Sequence, residues 1–309
     1  MEWIQLITDP NLAWILMGTM LLGISSGVIG CFAYLRKQAL MGDALSHAAL
    51  PGVCIAFMLT GMKSIPVFLV GAVIAGIIST FAIGYITRES RIKQDAALGI
   101  ILTVFFGLGI MLLTKIQHGN YGNQSGLDTF LFGQAAGMVH SDVTAMAVLC
   151  VLLIVTTSLF FKEFKLVSFD PGFAKGIGLP VKWLEQAIML LVVVAVVAGI
   201  QAVGVVLMSA LLITPAVAAR YWTNKLHVMV FLSGLFGAIS GLAGSLLSTM
   251  ASNMPTGPLV VLSATFLFVV SLLFAPAKGL IAQARIRLQV KKNFLASYQV
   301  PERVRKEGF

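Results

Sequence analysis

Met41-Gly42-Asp43-Ala44-Leu45-Ser46-His47-Ala48-Ala49-Leu50-Pro51-Gly52 sets a carboxylate and an imidazole four residues apart at the head of an apolar run. Side chains four apart stand one above the other on a helix. An Asp and a His held that way make half of a divalent-metal site, suited to Mn²⁺, Zn²⁺ or Fe²⁺ rather than to Ca²⁺ or Mg²⁺. Ionisable groups inside an apolar span are costly and mark transport paths. The plainer reading, two groups capping or solvated at a membrane edge, stands beside it, because Arg36 and Lys37 are close.

Working outward, most of the chain is apolar. Of 309 residues, 58% are hydrophobic and 11% charged, against about 25% charged in soluble domains. This is the composition of packed membrane-spanning helices, an all-α polytopic protein. The apolar runs lie at about Leu12–Leu35, Leu40–Gly61, Ile65–Thr87, Ala96–Thr114, Val143–Phe161, Trp183–Val203, Val205–Tyr221, Val228–Met250 and Pro258–Ala275. That is about nine spans. The count falls to about eight if the short Val205–Tyr221 run, which contains Pro215, only dips into the membrane. A short surface helix is expected over Leu127–Val139, and a basic tail occupies Lys278–Phe309, leaving 1–277 as the membrane domain. Cys31, Cys54 and Cys150 all fall in apolar runs without ligand spacing, so they read as packing residues. The N-terminus lacks the features of a signal peptide.

The net charge of +9 is distributed by side. With Arg36 and Lys37 inside, every basic residue except Lys63 and Lys115 also falls inside, which places the N-terminus outside and the C-terminus in the cytoplasm. The charge thus needs no nucleic-acid partner; the tail either meets anionic lipid or is simply solvated.

Three further features bear on function. Asp170-Pro171 opens a helix-start signal in the longest inside connection, Lys162–Lys182. Gly234, Gly237, Gly241 and Gly244 share one face of the eighth run, and Gly23, Gly27 and Gly30 make a similar stripe in the first. Such faces allow close helix approach, either as packing within one subunit or as an interface that slides as a gate. Glu185 opens the sixth run, where helix-dipole stabilisation accounts for it. His118 and His140, with Asp128 and Asp142, fall in outer connections where they would attract a cation; His227 falls in an inner one.

The segment Arg36–Gly52, RKQALMGDALSHAALPG, closely resembles the signature of ABC-type permeases for manganese, zinc and iron. Phe169-Asp170-Pro171-Gly172-Phe173-Ala174-Lys175-Gly176-Ile177-Gly178-Leu179-Pro180 resembles the segment of that family that couples to the ATPase, and Val203–Pro215 is a third match. The resemblance covers about residues 10–280 and excludes the tail. It implies a type II ABC importer-like bundle in a bacterial cell membrane, with Asp43 and His47 binding the transported metal. It also implies cytoplasmic ATPase subunits, a second permease copy and an extracytoplasmic metal-binding protein, with no permanently bound cofactor and no enzymatic activity of its own. Independently, the chain has no G-x-x-x-x-G-K-[ST] loop, so ATP hydrolysis would belong to a separate subunit.

Alternative functions fit less well. A proton-coupled secondary transporter needs carboxylates deep in its spans, and only Asp43 comes close. An ABC permease for chelated iron or a cobalamin-like ligand would not need Asp43 and His47 as ligands. A membrane metalloprotease would show H-E-x-x-H. A scaffold leaves the pair unexplained.

Overall fold

The computed structural model describes residues 10–38, 40–61, 65–118, 138, 140–250 and 254–304. Of the short helix expected over 127–139, only Met138 is described, and Asp128 lies outside the described residues. The described chain is helical: α1 (Pro10–Leu35), α2 (Met41–Thr60), α3 (Ile65–Glu89), α4 (Gln94–His118), α5 (His140–Leu159), α6 (Phe161–Phe169), α7 (Pro171–Gly176), α8 (Val181–Val203), α9 (Val205–Trp222), α10 (Leu226–Met250), α11 (Thr256–Phe274) and α12 (Leu280–Val304). Eight of these helices are long and apolar enough to cross a membrane, and α9 is a shorter apolar helix.

The bundle is built around α1, which packs against α5, α8, α9 and α10. Lipid gives no hydrophobic drive for helices to pair, so close van der Waals packing and interhelical hydrogen bonds must hold them. The glycine stripes supply the first. A Cβ on Gly237 would stand 2.0 Å from the Gly23 carbonyl oxygen, and one on Gly241 2.3 Å from that of Thr19. A Cβ on Gly234 would touch Val28, whereas Gly244 meets Val260 of α11. Gly27 and Gly30 face Ser233 of α10 and Leu212 of α9. Hydroxyls supply the second: Ser233 donates to the Gly27 carbonyl at 2.7 Å and Ser245 to the Thr19 hydroxyl oxygen at 2.8 Å. All four glycines singled out in α10 therefore lie between helices of one chain. Cys31, Cys54 and Cys150 are buried free thiols.

The short helix α9 lies alongside α11. At one end, a Cβ on Gly257 of α11 would meet the Val203 carbonyl oxygen at 2.6 Å and Leu207 at 3.3 Å. At the other, the Lys278 amide donates to the Tyr221 carbonyl at 3.2 Å. Both ends of the two helices are thus level, and 18 residues rise about 27 Å. Pro215 does not end α9. Its surroundings, Leu211, Leu212, Ala216, Ala218 and Ala219, are fully buried, and neighbouring helices make such a proline tolerable in a membrane. Gly204, at φ 88°, is the single residue between α8 and α9.

At the basic end of the bundle α1 closes on a Schellman turn. The Gln38 amide donates to the Ala33 carbonyl at 2.9 Å and the Lys37 amide to that of Tyr34 at 3.0 Å, with Lys37 at φ 58°. The turn leads straight into α2.

Candidate metal path

Asp43 and His47 occupy the first two turns of α2, toward the basic end. No side chain caps this helix, and Asp43 is the acidic residue of its first turn. Asp43 Oδ1 stands 3.6 Å from His47 Nε2. That is too long for a hydrogen bond, yet close to the roughly 3.4 Å that separates two ligands on one tetrahedral metal at about 2.1 Å each. Their side chains are 39% and 15% exposed, respectively. His47 is held by the Phe106 ring of α4, edge-on at 4.7 Å between centroids, and its buried Nδ1 has no hydrogen-bond partner among the described residues. Ser209 of α9 stands beside Asp43. The pair therefore lies in a notch between α2, α4 and α9.

Close packing holds α2 in place. A Cβ on Gly42 would meet Leu212 at 2.8 Å, and Gly52 and Gly71 join α2 to α3 back to back. Ser46 turns inward and donates to the Gly42 carbonyl at 2.6 Å. Among the described residues, no group of three or more His, Cys, Asp and Glu is arranged to hold a metal ion. Among the described residues, the pair is two ligands and nothing more.

The other sequence candidates are placed separately. His140 opens α5 and packs edge-on against Trp14 at 4.5 Å, the His118 ring bonds the Thr114 carbonyl at 2.9 Å, and Asp142 is buried. His227 lines a groove with Lys162 and Glu163. None of the three histidines joins Asp43 and His47.

The connection 162–182 is helical almost throughout. α6 begins one residue after α5 and buries Phe164 and Val167, with Phe164 stacked edge-on against Phe32 of α1 at 5.8 Å. Asp170 then caps α7, its Oδ1 accepting from the Phe173 amide at 2.8 Å, with Pro171 at the first helical position. Ala174 is fully buried, whereas Phe169, Phe173 and Ile177 are each more than half exposed at the basic end. Gly178, at φ 87°, turns the chain into α8.

One contact was not visible in the sequence. Arg36, closing α1, donates to Glu185 Oε1 in the second turn of α8 at 2.8 Å, with side-chain exposures of 11% and 28%. Glu185 is thus an ion-pair partner across 149 residues; the helix-start role expected of it does not hold, because α8 begins at Val181 and its first turn carries no acidic residue. No local pattern announces such a pair; the signal available was an isolated carboxylate opening an apolar span opposite an isolated arginine closing one.

The model of the ABC 3 transport family matches residues 8–275. The chain belongs to this family. A manganese transport system membrane protein, MntC of Bacillus subtilis, is 55% identical over 286 residues, which are 93% of this chain and 65% of that protein's length. The chain thus spans just under two thirds of that relative. A zinc transport system membrane protein, TroC of Treponema pallidum, is 44% identical over 93% of this chain and 96% of its own. Among solved structures, PsaBC from Streptococcus pneumoniae in complex with Fab superposes with a TM-score of 0.81 at 35% identity, covering 93% of this chain and 99% of that one.

Proposed function

We propose that this chain is the membrane permease of an ATP-driven importer of divalent transition-metal ions, Mn²⁺ or Zn²⁺ before Fe²⁺. The carrying observation is the Asp43/His47 pair, spaced as cis ligands in a half-open notch of a membrane bundle. Membership of a transport family whose relatives are named for manganese and zinc supports it. The basic end faces the cytoplasm and the Pro10 end faces out. There, an extracytoplasmic binding protein delivers the ion.

Two ligands hold an ion too weakly to trap it, which suits a site that must release its cargo. A second permease copy supplies the rest. The face of α4 next to the notch favours such a docking: a Cβ on Gly99 or Gly107 would meet nothing within 4 Å, and Thr103 between them is exposed. Small residues spaced by four let a second helix approach closely. Phe106, which holds His47, is on the same helix. A second copy docked there brings two Asp43/His47 pairs together across the axis.

The exposed Phe169, Phe173 and Ile177 at the cytoplasmic end are the docking knob for the ATPase subunits. Phe173→Ala lowers recovery of the ATPase subunits with the purified permease by about tenfold or more, as expected for a buried aromatic anchor. Undiminished recovery assigns the segment to solvent instead. The function itself is tested by measuring manganese, zinc and iron content of cells with and without the complete importer. A permease-dependent rise in one of them is the expected result, and no rise in any of the three contradicts the reading.

A further inference from the structure

Between α3 and α8, at the basic end, the bundle leaves an open cleft of about 340 Å³ that continues into a second of about 360 Å³. Its deep part is apolar, lined by Ile77, Phe81 and Leu190. Its outer part holds Tyr85, Arg88, Lys182 and Trp183. We propose that this cleft binds one anionic phospholipid of the cytoplasmic leaflet, with an acyl chain along Phe81 and Leu190 and the phosphate between Arg88 and Lys182. The proposal rests on the orientation given above, in which the basic end meets the cytoplasmic leaflet.

Three observations select this occupant. The first is charge. Arg88 and Lys182 have no ion-pair partner among the described residues, although Glu89 lies at the same rim. Arg91 and Lys93 follow in the adjoining turn. Glu185, the carboxylate nearest in sequence to Lys182, is already paired with Arg36. Unpaired basic groups between helices on the cytoplasmic side attract anionic headgroups.

The second is depth. From Ile77 to Arg88 a helix rises about 16 Å, which is close to half of a hydrocarbon core of about 30 Å. The cleft is one leaflet deep, the dimension of a lipid rather than of a second permease helix. The third is its mouth. Trp183 is 75% exposed and Tyr85 70% exposed, and amphipathic rings of this kind sit at headgroup level. Gln186 forms the floor, where a Cβ on Gly84 would stand 3.4 Å from its Nε2. By contrast, the groove between α2, α3 and α4 has no charged residue in its lining and selects no headgroup.

The consequence is a lipid seated between α3 and the helix that directly follows α7. The test uses the complete transporter in phosphatidylcholine nanodiscs doped with brominated phosphatidylglycerol or, separately, brominated phosphatidylcholine. Bromine quenches tryptophan on contact. The Trp183 signal is the difference from a Trp183→Phe transporter. Half-maximal quenching is expected at about fivefold lower mole fraction, or less, of the anionic lipid. That preference disappears in Arg88→Gln/Lys182→Gln. Equal quenching by both lipids in the native transporter overturns the proposal, and so does a preference that survives the double substitution. The native comparison stands even if the variant fails to assemble. Because no metal enters this measurement, its failure is distinct from failure of the import reading.

Discussion

Permeases carrying Asp43→Asn or His47→Ala, inserted at native abundance and assembled with their ATPase, lose metal accumulation by about 100-fold or more. Removal even of groups that only orient a metal ligand costs 10–100-fold, and here half of each chain's ligand set is removed. Asn keeps the shape of Asp43 while removing its charge, so the variant separates ligation from packing. The competing reading makes Asp43 a helix-start charge, worth about 0.3–1 kcal/mol of stability; it predicts slightly weaker folding with uptake retained. Transport measured at matched membrane abundance decides between the two. Acidification acts in the same direction as the substitutions, because a metal-ligating imidazole must be neutral.

Glu185→Gln is expected to destabilise the permease by about 1–3 kcal/mol, between the roughly 0–1 kcal/mol of an exposed pair and the roughly 3–5 kcal/mol of breaking a fully buried one, because this pair is part-buried. Arg36 is the more buried partner: its side chain is 11% accessible, and its Nε and Nη1 have no partner among the described residues. With the carboxylate gone, its charge keeps no counter-charge among the described residues. The Arg36→Met/Glu185→Leu double variant, by contrast, removes both charges and should melt near the native temperature, since apolar replacement of a whole buried pair is often neutral or stabilising. Thermal unfolding in detergent measures both. A single variant that melts with the native protein would mean that water reaches the pair and that it holds nothing. The pair matters to the fold because it joins the α1–α2 turn, which leads into the helix that carries Asp43, to the second turn of α8, which follows α7.

Much of this was legible because membrane helices obey a simple constraint. Backbone groups in lipid must be satisfied within their own segment, so runs such as 65–87 and 228–250 read directly as helices, and the structure extends them by only a few residues to α3 and α10. Asp170-Pro171 likewise marked the start of α7, because a cap and a proline at the first helical position are local signals. The glycine face of α10 was visible as spacing, but its partners, Gly23 and Thr19 of α1, were not. Long-range partners leave no periodicity. The same holds for Arg36 and Glu185, and for Phe106 over His47, where a phenylalanine in a generic apolar run becomes one wall of the site only through the packing of α4 on α2. Pro215 was a misleading local signal for the same reason. Its cost is met by tertiary packing around α9, which sequence spacing does not carry.

The most direct measurement is X-ray absorption at the metal edge of the purified, metal-loaded transporter, native and His47→Ala. The account predicts a first shell of nitrogen and oxygen with imidazole scattering in the native protein, and its loss in the variant. An imidazole-containing shell that persists unchanged in His47→Ala, or a native shell without imidazole, would contradict it and leave Asp43 and His47 as residues at a membrane edge.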